Sequence, residues 1–252
     1  MTPPPQTTLT PYTHGIWDRT FKTDRSLNAA KKYMGYLHEI LCEQKVSELF
    51  YSNSYTGYGS EGQQFAVAIN VKAEQCSTND LDQNFLDQYP SDVVKNNLAG
   101  VNKVFIGDRL IAARPKPIPG SNNNYHSEYL LLINSTLPNQ EVPPIWHLLN
   151  TDNNGCVVFY TYNSPCVKTC STPNNCYSII PALDMIKVHS GPKAFVFWQV
   201  WQHDNNSIKW KENIKSINDK VPLYHCDATQ CTLCVNKNNR IEKKCVAQKN
   251  QN

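Results

Sequence analysis

Two short stretches carry the side chains able to do chemistry. Tyr125-His126-Ser127-Glu128 opens one apolar run, and Ser164-Pro165-Cys166-Val167-Lys168-Thr169-Cys170 follows another. Between them they offer an imidazole, two thiols and a carboxylate. That set suits zinc: His126, Cys166 and Cys170 would bind the ion and leave a fourth position for water, whose pKa falls from about 15.7 toward ~7 beside the metal. Glu128 is then not needed as a ligand. Hydroxide attack on the amino-bearing carbon of a nucleobase requires a proton at a ring nitrogen and another on the departing amine. One carboxylate beside the metal can carry both.

These side chains need particular elements to hold them. The H-x-E spacing suits the start of a helix, whose body would be the apolar Tyr129–Ile133 buried on a sheet. Pro165 suits the first turn of a second helix, where its missing N–H costs nothing. Cys166 and Cys170, four apart, would then share one face of that helix, with the positive end of its dipole favouring thiolates. Taken alone, the histidine reads as a cap or surface residue and the two cysteines as halves of different disulfides; order and spacing together favour the metal site.

His126-Ser127-Glu128 and Ser164-Pro165-Cys166, with a second cysteine behind it, resemble the H-x-E and P-C-x-x-C motifs of the zinc-dependent cytidine-deaminase superfamily. Ser-Pro-Cys resembles its AID/APOBEC branch. With further cysteines and glycosylation acceptors elsewhere, the chain looks most like the secreted AID/APOBEC-like deaminases. The chain spaces its cysteines C-x3-C where x2 is commonest, and has Asn163 where the branch usually carries tryptophan. The resemblance implies a Zn2+ cofactor bound by His126, Cys166 and Cys170, Glu128 as proton shuttle, and the Ser164-Pro165 backbone, with Asn163, near the base. It implies hydrolysis of cytosine to uracil in single-stranded DNA or RNA; free nucleosides and adenine stay open as substrates.

Outside the motifs, the first 24 residues are rich in Pro, Thr and polar side chains and predict a poorly ordered lead-in. From Ser26 to Lys45 apolar residues recur at three and four, which predicts a helix. Gln64–Val71 reads as a strand, Asp80–Leu98 as one or two short helices, and Lys103–Arg114 as a strand bent at Gly107-Asp108. A proline- and asparagine-rich loop, 115–124, precedes the histidine and is placed to shape a pocket. Arg114 and Lys116 there could meet a phosphate. Cys156–Tyr162 is a near-continuous apolar run, expected of a central strand covered on both faces. Ile179–Val188 reads as helical or mixed, Lys193–Trp201 as the most strand-like stretch, and the residues from Trp210 to Ile217 as a helix. Trp198 or Trp201 could stack on a base, although core packing suits the alternating aromatics better. The order predicts an α/β fold: a layered, cytidine-deaminase-like domain over 25–222, with a central mixed sheet flanked by helices. Its motif-bearing core runs over 63–204, and a cysteine-rich C-terminal extension over 223–252.

The chain has 252 residues, a net charge of +3 and ten cysteines. The mild charge makes any basic groove for nucleic acid a local feature, and no apolar run approaches the ~20 residues of a membrane helix. Eight cysteines remain beyond the proposed ligands. With Asn134-Ser135-Thr136 and Asn205-Asn206-Ser207 as N-glycosylation acceptors, they predict an oxidising, extracellular setting. The N-terminal stretch lacks the charged and apolar regions of a signal peptide, so a removed leader is expected, with a cytoplasmic protein as the alternative. Cys231-x2-Cys234 with His225 could hold a second zinc, but disulfides are favoured in that setting; Arg240, Lys243 and Lys244 form a small basic run. Two rival readings are a secreted binding module with structural zinc and a disulfide-rich domain in which Cys166 and Cys170 are oxidised.

Overall fold

The computed structural model describes residues 64–77, 88–133, 141–227 and 231–247. The predicted lead-in, the Ser26–Lys45 helix and the Asn134 acceptor lie outside them.

The centre of the architecture is the long strand Cys156–Asn163. In chain order, β1 (Ala66–Val71) is followed by the short helices α1 (Ala73–Ser77) and α2 (Ser91–Ala99). The strands β2 (Val104–Ile106) and β3 (Leu110–Ala113) pair antiparallel, so the single bent strand expected over Lys103–Arg114 is instead a hairpin that turns back at Gly107-Asp108-Arg109. A two-stranded ribbon of β4 (Lys116–Pro117) and β5 (Asn124–Tyr125) leads into α3 (Ser127–Leu132) and then α4 (Pro144–Thr151). Next come β6 (Cys156–Asn163), α5 (Leu183–Val188), β7 (Lys193–Gln199), α6 (Ile208–Asn218), β8 (Leu223–Cys226) and β9 (Cys231–Leu233).

The main sheet has seven strands in the order β2-β3-β1-β6-β7-β8-β9. β6 pairs antiparallel with β1 and parallel with β7, and β7 pairs parallel with β8, so the sheet is mixed. Helices cover both faces of the parallel half, the crossover helices α5 and α6 on one and α2 on the other, which explains the long apolar runs; seven of the eight β6 residues are buried. One face holds Phe159, Phe195 and Phe197 against Leu130, Leu132, Leu148, Ile186, Trp210 and Ile214 from helices α3 to α6. The other holds Val67, Val158, Tyr160 and Val196 with Val94 and Leu98 of α2. Small side chains let α3 approach closely: Ala66 and Ala113 pair across β1 and β3 beneath its leucines. At ~25 cal/mol per Å² this burial is the dominant stabilising contribution.

The residues after 222 complete the sheet. β8 and β9 extend it at one edge, Cys226–Cys231 bridges that hairpin, and Cys234–Cys245 ties down the segment beyond it. These pairings take up both cysteines of the C-x2-C motif, so the second zinc with His225 is overturned and the disulfides stand. His225 instead packs its ring against Phe197.

Candidate active site

The site is built where β6 ends. Ligand sites of parallel sheets lie beyond the carboxyl ends of strands, because the chain leaving there is free of ladder bonds. Asn163 closes β6 beside Gln199 of β7, and the proposed cysteines follow at once. Facing them is the start of α3. His126 occupies its N-cap with extended backbone but makes no side-chain cap. Its ring meets Cys170 instead, with Nδ1 3.1 Å from the Sγ. Glu128, only 1 % exposed, completes a group of His126, Glu128 and Cys170 whose ligand atoms lie within 4.8 Å of one another.

Cys166, expected as the third ligand, is not in this group. Its Sγ is 3.2 Å from the hydroxyl of Thr169, which lies 3.7 Å from the Sγ of Cys170. Both cysteines are free thiols, so the reading in which they are oxidised is overturned. The second helix predicted from Pro165 is not there. Residues 167–171 form turns, with the carbonyl of Cys166 accepting from the amide of Ser171 and that of Cys170 from Ile179. Side chains replace the helix ladder: Thr172 Oγ1 donates to the Val167 carbonyl and Asn175 Nδ2 to that of Lys168. The thiolate-favouring dipole therefore vanishes. Burial pushes the Cys170 thiol well above its ordinary range, and the negative charges of Glu128 and Cys166 add to that. A buried thiol and carboxylate against an imidazole form a donor set that a divalent cation would neutralise. Sulfur and imidazole nitrogen are the ligand types that suit zinc.

The Glu128 carboxylate is held unequally. Its Oε1 accepts from the Gln64 amide at 2.9 Å and the Thr161 hydroxyl at 2.9 Å, whereas Oε2 accepts from Ser127 Oγ at 3.1 Å. Gln64 also donates to Thr161 Oγ1 and accepts from the backbone N–H of Asn163. One amide thus joins β1, the start of α3 and the end of β6. Gln64, Thr161 and Ser127 were missed as site residues. Thr161 alone left a trace, a hydroxyl inside an otherwise apolar strand; nothing in the sequence says where Gln64 points.

A second support lies past β7. The buried Asp204 accepts the Val167 N–H through Oδ2 at 2.8 Å, and burial raises its carboxyl above the usual range while that N–H pulls it down. Ser164 is buried and its hydroxyl accepts from the Trp201 N–H. Pro165 is buried beside it. Asn163, also buried, has its Oδ1 held by Gln199 Nε2 at 2.7 Å.

The remaining candidates are placed differently. Trp198 packs with the cluster on the face of the sheet opposite Cys170 and Leu130, so the structure does not bring it to the group. Trp201 is half-buried beside His203. Arg114 follows β3, its backbone N–H bonded to Lys103, and Lys116 pairs with Tyr125 in the ribbon leading to His126. Tyr125 stacks on Tyr129, with Tyr177 edge-on to both.

The family model described as Secreted Novel AID/APOBEC-like Deaminase 1 matches residues 48–249, most of the chain and every residue of this site. No curated protein matches it.

Proposed function

The chain belongs to the family of secreted AID/APOBEC-like deaminases, and from that membership we propose that it is a zinc-dependent hydrolytic deaminase converting cytosine to uracil in single-stranded DNA or RNA, working outside the cell. The observation that carries the reading is the meeting of His126, Glu128 and Cys170 at the start of α3. His126, Cys166 and Cys170 would hold the metal. When bound, zinc supplies Lewis acidity and a water acidic enough to be a nucleophile at neutral pH.

The protein's own groups do the rest. Oε1 of Glu128 is pinned by two donors and serves as the anchor, while Oε2 meets, among the described residues, the Ser127 hydroxyl and keeps acceptor capacity. Oε2 is therefore the atom that takes the two protons of the attacking water in turn, giving the first to the ring nitrogen and the second to the departing amine. Asn163, Ser164 and Pro165 line the approach for the base, the first two fixed by Gln199 and the Trp201 backbone. The extracellular setting follows the family description and the disulfides Cys226–Cys231 and Cys234–Cys245.

The test is the mass of cytosine- or adenine-containing DNA and RNA oligonucleotides, and of free nucleosides, after incubation with zinc-loaded protein. A gain of about one dalton per target base, absent with Glu128→Gln of equal zinc content, is the expected result. No change on any of these substrates, with zinc bound, overturns the enzyme reading in favour of a binding module with structural zinc.

A further inference from the structure

The corner between β7 and α6 carries the acceptor pattern Asn205-Asn206-Ser207. Asn205 follows the one-turn 3-10 helix Gln202–Asp204 with φ −58° and ψ 124°, at the start of a tight turn, and both asparagines are exposed. The corner is fixed in shape. The Ser207 N–H donates to the Asp204 carbonyl and the Asn206 N–H to the Val246 carbonyl. Asn206 has φ of 59°, a left-handed conformation that asparagine tolerates better than most residues.

Ser207 is the N-cap of α6, its hydroxyl accepting from the Trp210 N–H at 3.3 Å. That cap needs neither an asparagine two positions earlier nor its exposure. Meanwhile the disulfides Cys226–Cys231 and Cys234–Cys245 call for the oxidising compartment in which N-linked sugars are attached.

We propose that Asn205 is an N-glycosylation site that takes an N-acetylglucosamine-based oligosaccharide from a lipid-pyrophosphate donor, an inference that rests on the extracellular reading above. In that transfer Nδ2 of Asn205 bonds to the anomeric carbon of the sugar. The bond from that carbon to the phosphate oxygen breaks, its electron pair leaves with the lipid pyrophosphate, and the amide gives up one proton. The folded corner accepts the product because Asn205 lies exposed on a turn at the surface. The glycan then stands one residue from Asp204, whose carboxylate holds the Cys166–Cys170 loop.

The experiment is to secrete the full chain from a eukaryotic cell behind a host leader and map its peptides before and after glycosidase release of N-linked sugars. The expected result is a sugar on the Asn205 peptide and aspartate at that position after release. Because the measurement is peptide-resolved, sugar on Asn134 does not confuse it. Ser207→Asp keeps a good helix cap while destroying the acceptor pattern, so it should lose the Asn205 sugar and still be secreted folded; Ser207→Thr should retain it. Secreted chain with both disulfides formed and a bare Asn205 overturns the proposal and leaves the deaminase reading standing. Secreted chain whose cysteines stay reduced and whose Asn205 is bare overturns it together with the extracellular reading.

Discussion

At the scale of single residues, the weight of the site falls on one carboxylate and its holders. Removing a hydrogen bond to a charged group costs about 1.5–3 kcal/mol, which is roughly 10- to 100-fold in rate if lost in the transition state. Gln64→Ala strips Glu128 of one donor and Asn163 of its amide's acceptor. We expect a fall of that size in kcat on oligonucleotides with zinc content unchanged, read from single-turnover kinetics and metal analysis. His225 makes a different prediction. Burial holds its imidazole below the ordinary range, Asp227 opposes this and Lys244 adds to it, and its Nδ1 has no hydrogen-bond partner among the described residues. The unfolded chain therefore binds that proton first as pH falls. The stability from the neutral ring is complete above ~6.5 and lost as pH falls below it toward the folded-state value. His225→Phe should flatten that part of a denaturation-against-pH curve; an unchanged slope would place the acid sensitivity elsewhere. Asp204 acts in the opposite sense and nearer pH 4, because its carboxyl is raised: its contribution is present below that range and fades as pH rises.

At the scale of elements, the ligand loop is the feature most open to attack. It has no helix ladder, so outside contacts hold its shape, among them Asp204 to Val167 and Asn213 to Ser171. Loss of an outer contact to a metal-bearing segment typically lowers metal affinity about 10- to 100-fold. Asp204→Ala should weaken zinc by that order in a chelator competition. Asp204→Asn keeps an acceptor for the Val167 N–H and should bind zinc nearly as the native protein does; equal weakening in both variants would show that charge, not the hydrogen bond, is what matters. Gly191 makes a tight contact of another kind. A Cβ there would strike the carbonyl of Gly155, which is how the loop before β7 passes close to the loop before β6.

At the scale of the whole molecule, the sheet links the site to the disulfide-bound edge. Among the described cysteines, Cys166, Cys170 and Cys176 are free, and Cys176 is exposed. In the zinc-loaded native protein a thiol reagent should label Cys176 first, with Cys166 and Cys170 reacting only after chelation or denaturation. Immediate labelling of all three in loaded protein would remove the two cysteines from the ligand set. No helix among the described residues is long and apolar enough to cross a membrane.

Much of this was legible in the chain. The apolar run Cys156–Tyr162 announced a strand buried on both faces, because only such a strand can do without polar alternation. His126, Glu128 and the cysteines announced themselves by residue type, since few side chains can hold zinc or move its protons. What periodicity could not supply was everything decided by partners distant in sequence. Cys166 and Cys170 carried helical spacing and Pro165 a helix-starting residue, yet turns closed by Thr172, Asn175 and Asp204 took the place of the helix. Trp198 was one of two tryptophans on a strand, and only the sheet's two faces decided that it points away from the group. Gln64 is 64 residues from the carboxylate it holds. The sequence by itself determined which groups could do the chemistry; the tertiary structure alone decided which of them meet, because contacts between remote residues depend on sheet order and register rather than on local spacing.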